Sequence, residues 1–147
     1  MRVEQRQVKD KPLTVVVEYP EYDQTVEHLV SKIKNLSISF KGKAEGKTVS
    51  IDISDIYYIE NVERKIFLYS RKDVYRYDGT MADIDSAITD TDLVRISRTC
   101  FMNVSHLKEI MQIKNSHLEA QLDNGEKLIV SRKYLKDIKK IFRRKLL

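Results

Sequence analysis

The chain has 147 residues, 33% of them charged and 41% apolar, which suits one domain or one domain with a small appendage. Its single cysteine, Cys100, excludes an internal disulfide, and no apolar run approaches the ~18–20 residues a bilayer-spanning helix needs. No secretory signal opens the chain, so the expected compartment is the cytoplasm. The net charge of +5 is unevenly spread: residues 131–147 hold eight Lys or Arg and one Asp, a local net of +7, so the other 130 residues sum to −2. A localised electrostatic footprint of this kind points to a polyanionic partner.

Residues 1–11 are polar and charged. Leu13-Thr14-Val15-Val16-Val17-Glu18-Tyr19 is β-branched and predicts a strand stopped by Pro20. Asp23 then caps a helix whose Val26, Leu29, Val30, Ile33 and Leu36 fall on one face. Such a β-α unit is too small to stand alone and must dock on the rest of the chain or on a second copy. From Ser37 the period changes to two. Residues 37–41, 48–53, 56–60, 65–70 and 73–77 read as short strands, with turns near Gly42–Gly46 and Asn61–Arg64, the pattern of an antiparallel sheet system.

Thr80 and Asp83 frame a short helix that turns Met81, Ile84, Ala87 and Ile88 inward. The stretch Val94–Val104 opens as a strand, presents Ser97, Arg98 and Thr99 in a row, and closes on an apolar run ending at Asn103. An arginine and two hydroxyls at the end of a rigid element suit contact with phosphates or base edges. Further strands are expected near 109–114, 117–122 and 127–130, the last two joined through Asn124-Gly125, a strong hairpin signal. Ser131 caps a terminal helix with Tyr134, Leu135, Ile138, Ile141 and Phe142 as its buried stripe, and Val130 and Leu135 occupy the staple positions around that cap.

No catalytic set emerges. His28, His106 and His117 lie in separate elements without metal-ligand spacing, Cys100 sits in an apolar run where a structural thiol is the usual reading, and four glycines form no phosphate loop. The expectation is a non-enzyme with no metal, no cofactor and no small-molecule substrate.

The Val94–Val104 stretch, the turn at Gly125 and Val130-Ser131-Arg132-Lys133-Tyr134 together resemble the bacterial LytTR-type DNA-binding domain over roughly residues 42–145. That family shows a His-Arg-Ser triplet, a Val-Asn pair, a hairpin turning at a glycine, and Val-Ser-Arg-Arg-Tyr, in this order. The resemblance implies a mainly β fold with short helices (α+β), an elongated antiparallel domain over residues 42–147; the β-α unit read from the residues stands ahead of it as an extension over residues 1–41 for docking or dimerisation. It implies a sequence-specific transcriptional regulator that contacts successive major grooves of double-stranded DNA through loops.

Three contacts carry over from the resemblance. Arg64 and Lys65 occupy the turn after Tyr58-Ile59-Glu60; read without the family they are an ordinary solvated turn. Ser97-Arg98-Thr99 keeps the basic centre and a hydroxyl of the triplet, with Ser97 in place of its histidine, a departure that bears on sequence preference. Arg132 and Lys133 open the terminal helix, lysine replacing an arginine with a less directional charge. Asn103 is read as capping local backbone rather than reading bases. The later cations Lys136, Lys139, Lys140, Arg143, Arg144 and Lys145 are read as a solvated face.

The resemblance also implies a homodimer or paired binding on direct repeats. Forty residues ahead of the domain cannot hold a receiver domain, so the input is expected from elsewhere, with a regulatory membrane protein as one partner. The competing reading is a basic amphipathic tail that docks on a protein or an anionic membrane surface.

Overall fold

The computed structural model of the chain describes residues 1–114 and 117–145, with the side chains of residues 142–145 outside that description. Its described strands form two antiparallel sheets. The larger contains β1 (Ser39–Ala44), β2 (Lys47–Asp52), β3 (Tyr58–Val62), β4 (Lys65–Tyr69), β5 (Val74–Tyr77), β6 (Leu93–Ser97) and β7 (Cys100–Asn103), in the order β2-β1-β5-β4-β3-β7-β6. The smaller contains β8 (Leu107–Gln112), β9 (Leu118–Leu122) and β10 (Lys127–Val130), in the order β10-β9-β8. Among the described residues three α-helices accompany them: α1 (Gln24–Ser37), α2 (Met81–Ala87) and α3 (Leu135–Lys145). The chain is therefore mainly β with short helices, as its periodicity predicts.

Both faces of the large sheet are covered. Ile59, Leu68 and Phe101 pack with Ile84 and Ile88 from the α2 side. Tyr58, Ile96 and Met102 pack on the opposite face with Leu122 of the small sheet and with Ile138 and Ile141 of α3. Because β7 lies between the two cores, Cys100, Phe101, Met102 and Asn103 are all buried. Double coverage is why the sequence there runs apolar instead of alternating. With Ile138 and Ile141 buried and Tyr134 and Leu135 half-buried, the described part of α3 keeps no apolar face for a lipid surface.

Several local predictions hold. The amide of Val26 donates to Asp23 Oδ1 (3.0 Å), capping α1. Thr80 and Asp83 exchange two 3.0 Å hydrogen bonds at the start of α2. Val130 and Leu135 join one cluster, as the staple requires.

Others are corrected. Residues 13–19 form no strand, since neither sheet of the chain offers them a neighbour, and Leu13 and Val16 are 99% and 75% exposed. Leu36 is exposed because polar side chains set the docking face of α1. Ser31 Oγ donates to Asp92 Oδ1 (3.2 Å), Asn35 Nδ2 donates to Asp92 Oδ2 (2.8 Å), and the Asp92 amide donates to Asn35 Oδ1 (3.1 Å). Gly42 lies within β1 rather than in the turn: a Cβ there would come within 2.6 Å of Tyr75 Cβ, so glycine lets the two strands approach. The turn falls at Glu45-Gly46, both at positive φ. Ile53 begins a 3-10 turn instead of ending β2. Ala87, the last residue of α2, is exposed. Ser131 makes no side-chain cap; α3 is preceded by a 3-10 turn, Arg132–Tyr134, in which the Tyr134 amide donates to the Ser131 carbonyl (3.0 Å). Phe142, expected in the buried stripe, lies outside the described side chains.

Candidate nucleic-acid interface

Adjacent strands bring two of the expected contact turns to one end of the large sheet. β3 pairs antiparallel with β7, so the end of β3 lies beside the start of β7, and the Asn61 amide donates to the Thr99 carbonyl (2.8 Å). The β3–β4 turn and the β6–β7 turn therefore emerge side by side.

The β3–β4 turn is built on strained residues. Val62 pairs with Lys65, leaving a two-residue loop of Glu63 and Arg64 with φ of 52° and 66°. Two-residue hairpin loops in this conformation favour Asn-Gly, because a Cβ in the left-handed region costs about 1–2 kcal/mol per residue. Arg64 and Lys65 are exposed.

The β6–β7 turn is instead held by side chains. The Thr99 amide donates to Ser97 Oγ (3.2 Å), and Arg95 Nη1 donates to the Arg98 carbonyl (2.7 Å). The Arg95 guanidinium is itself placed 4.6 Å over the Phe101 ring. With the backbone so satisfied, the side chains of Arg98 and Thr99 are exposed at the tip.

The third segment is fastened to the second. The Ser131 amide donates to the Ile96 carbonyl (2.8 Å), fixing the 3-10 turn before α3 against the end of β6. Arg132 and Lys133 are exposed there, with Lys133 Nζ 5.5 Å from the Tyr134 ring centre. Ser97, Thr99, Ser131 and Arg132 line one groove of about 900 Å³ between the sheets. Arg98, Lys133, Arg64 and Lys65 do not line it.

Among the groove residues that sequence reasoning missed are Glu60, Glu126 and Lys127. Glu60 follows Tyr58 at the i+2 spacing that shares a sheet face, which is the signal that could have placed it. Glu126 pairs across the hairpin loop, its carbonyl accepting from the Leu122 amide (2.9 Å), and no sequence signal marks it. Lys127 and Arg132 line the groove with these two carboxylates, so its charge is mixed, while Arg64, Lys65, Arg98 and Lys133 are exposed outside it. Burial, with Glu60 nearby, pushes the Cys100 thiol up to about 12, so it stays neutral.

His106 is occupied elsewhere, at the end of the molecule remote from these turns. It stacks on Tyr57 at 3.9 Å, its Nε2 donates to the Ser54 carbonyl (2.7 Å), and its Nδ1 is 3.5 Å from Asp123 Oδ2. Arg71 Nη1 donates to the Tyr57 hydroxyl (3.1 Å) and lies 3.9 Å from Asp123. Burial pushes the Asp123 carboxyl up, but Tyr57, His106 and Arg71 outweigh it and hold it below the usual range. Asn103 is fully buried: its Nδ2 donates to the carbonyls of Ile53 (3.0 Å) and Ile56 (2.7 Å), and its Oδ1 accepts from the amide (2.9 Å) and hydroxyl (2.7 Å) of Ser105. It caps backbone, as read from the sequence.

Two antiparallel sheets with short helices and cationic turns gathered at one end define a nucleic-acid-binding module. The model of the LytTr DNA-binding domain matches residues 46–143, well over half of the chain, and the chain belongs to that family. The family's fold is a regulator's, not an enzyme's. Among similar proteins, the sensory transduction protein LytT of Bacillus cereus is 28% identical over 99 residues, 67% of this chain and 40% of that protein. LytT of Enterococcus faecalis is 29% identical over 106 residues, 72% of this chain and 43% of that protein. The chain thus spans about two fifths of the length of the curated relatives it matches. A solved LytTr DNA-binding domain of a Bacillus cereus response regulator superposes with a TM-score of 0.63 at 21% identity, covering 70% of this chain and 94% of that one; at that identity the likeness shows the fold.

Proposed function

We infer that the chain is a cytoplasmic bacterial transcriptional regulator that reads double-stranded DNA through turns rather than a recognition helix. Residues 42–147 form the DNA-binding domain and residues 1–41 an extension that couples it to a second copy, so that pairs of chains occupy repeated sites. The contacts to successive major grooves come from three turns, carrying Arg64 and Lys65, Arg98 and Thr99, and Arg132 and Lys133.

The observation that carries this reading is the 2.8 Å bond from the Ser131 amide to the Ile96 carbonyl, which fastens the third segment beside the second on one shared groove. Fixed spacing between contact residues is what a repeating duplex demands. Exposed cations on rigid turns supply phosphate affinity, and an arginine among them supplies bidentate contact to guanine O6 and N7. Footprinting on DNA upstream of the chain's own coding region, followed by gel shift on the protected sequence and on a scrambled copy, tests it. The expected result is preference for the protected sequence and affinity that falls steeply with salt as counterions are released. Equal affinity for both duplexes, or binding indifferent to salt, contradicts it.

A further inference from the structure

Among the expected strands, Leu13–Tyr19 is the one that joins neither described sheet. Leu13, Val15 and Val16 are 99%, 59% and 75% exposed, and Tyr19 and Tyr22 are exposed beside them. A β-branched run with one charged residue, Glu18, left in water is a ready template for pairing with another chain. We propose that this segment is a dimerisation strand that pairs antiparallel with the same segment of a second copy, about a two-fold axis setting Val16 opposite Val16. This sharpens the coupling role inferred for residues 1–41 and does not depend on the DNA surface.

The register follows from a near-palindrome in the chemistry. About Val16, Val15 mirrors Val17, Thr14 mirrors Glu18, Leu13 mirrors Tyr19, Pro12 mirrors Pro20 and Lys11 mirrors Glu21. Antiparallel pairing therefore brings each Lys11 against Glu21 of the other copy, one opposite-charge pair at each end. Parallel pairing would set lysine against lysine. Centring on Thr14 instead would oppose Asp10 and Glu18, two like charges.

The prolines fix the hydrogen bonding. Neither Pro12 nor Pro20 has an amide to donate, so both must occupy non-hydrogen-bonded pairs, and in an antiparallel ladder these alternate along the strand. Even-numbered positions then face outward, and Leu13, Val15, Val17 and Tyr19 exchange the ladder bonds. The same alternation puts these four residues on one face and Thr14 and Glu18 on the other. A two-stranded ribbon needs a helix or further strands behind its apolar face. The following helix supplies one: Val26, Leu29, Val30 and Ile33 of α1 are only half-buried against the domain, and Leu36 is exposed.

The test uses the full chain without DNA. Sedimentation equilibrium is expected to show a dimer. Variants with one added cysteine at each of positions 13 to 17 are then oxidised mildly, with the buried Cys100 left in place. Across a non-hydrogen-bonded antiparallel pair the Cα atoms lie ~4.5 Å apart, within disulfide range, so Val16→Cys should cross-link roughly tenfold faster than its neighbours. Val16→Lys should shift the chain toward monomer. Lys11→Glu should weaken the dimer several-fold, and adding Glu21→Lys should restore it. Circular dichroism verifies that each variant is folded. A monomer at every concentration, cross-linking equal at all five positions, or a dimer untouched by Val16→Lys overturns the proposal.

Discussion

The β6–β7 hairpin has two polar ends, and they have opposite fates. At its turn, Ser97 and Arg95 spend their hydrogen bonds on the backbone, leaving the Arg98 and Thr99 side chains facing solvent. At its base, Asn103 spends its hydrogen bonds on the backbone of Ile53, Ile56 and Ser105 and on the Ser105 hydroxyl, and is fully buried. Five residues apart, one polar group is free for recognition because its neighbours hold the turn, and the other holds the fold together.

Breaking the base end should have the largest effect, and it should be on stability. Asn103→Ala leaves the Ile56 carbonyl and the Ser105 amide without this partner and the Ile53 carbonyl with the Ile56 amide alone, at a cost on the order of 3 kcal/mol. Chemical denaturation should show the midpoint falling at unchanged slope. Arg98→Ala should do the reverse: an unaltered midpoint, with ~1–3 kcal/mol lost on the preferred duplex and weaker discrimination against mismatched bases. If both substitutions moved stability and binding together, the two ends would not be separable.

The neighbouring turn sharpens the contrast. Replacing Glu63-Arg64 by Asn-Gly relieves two left-handed non-glycine residues. Melting should show a gain of about 1 kcal/mol or more, while DNA affinity falls with the loss of the Arg64 charge. A gain in stability with no loss of affinity would remove Arg64 from the contact surface.

The smallest expected effect lies at the remote end. Because Asp123 is held below its unfolded value, its contribution is fully present above that value, about 3.9, and fades as pH falls through the lower folded one. Its carboxylate is about half exposed, so solvent screening keeps the contribution under ~1 kcal/mol. Comparing denaturation at pH 7 and pH 3 for the native chain and Asp123→Asn should show less acid destabilisation in the variant.

The strands of the two sheets, the caps of α1 and α2 and the Asn124-Gly125 hairpin were legible because each rests on near neighbours in sequence, whereas the expected strand at 13–19 and the expected Ser131 cap are absent. Asp23 reaches Val26, and Thr80 reaches Asp83. What the sequence hid depends on distant partners. Asp92 captures Ser31 and Asn35 from some sixty positions away, rotating α1 so that Leu36 faces out. Gly42 resembles a turn residue until Tyr75 is found above it. The proposed contact positions were marked by local motif, but the nearness of their turns depends on β3 lying beside β7 and on Ser131 reaching Ile96, pairings no local pattern encodes. Glu126 entered the groove the same way, whereas Glu60 shares a sheet face with Tyr58 two residues before it.

The central claim is that turns at one end of the large sheet read bases. Its most direct test is the Arg98→Ala chain in gel shifts on matched and scrambled duplexes at two salt concentrations. The predicted result is a ~10- to 100-fold loss on the matched duplex, little change on the scrambled one, and a salt slope reduced by no more than about one phosphate contact. Equal losses on both duplexes would mean that Arg98 supplies charge alone, contradicting the claim even if DNA binding survived.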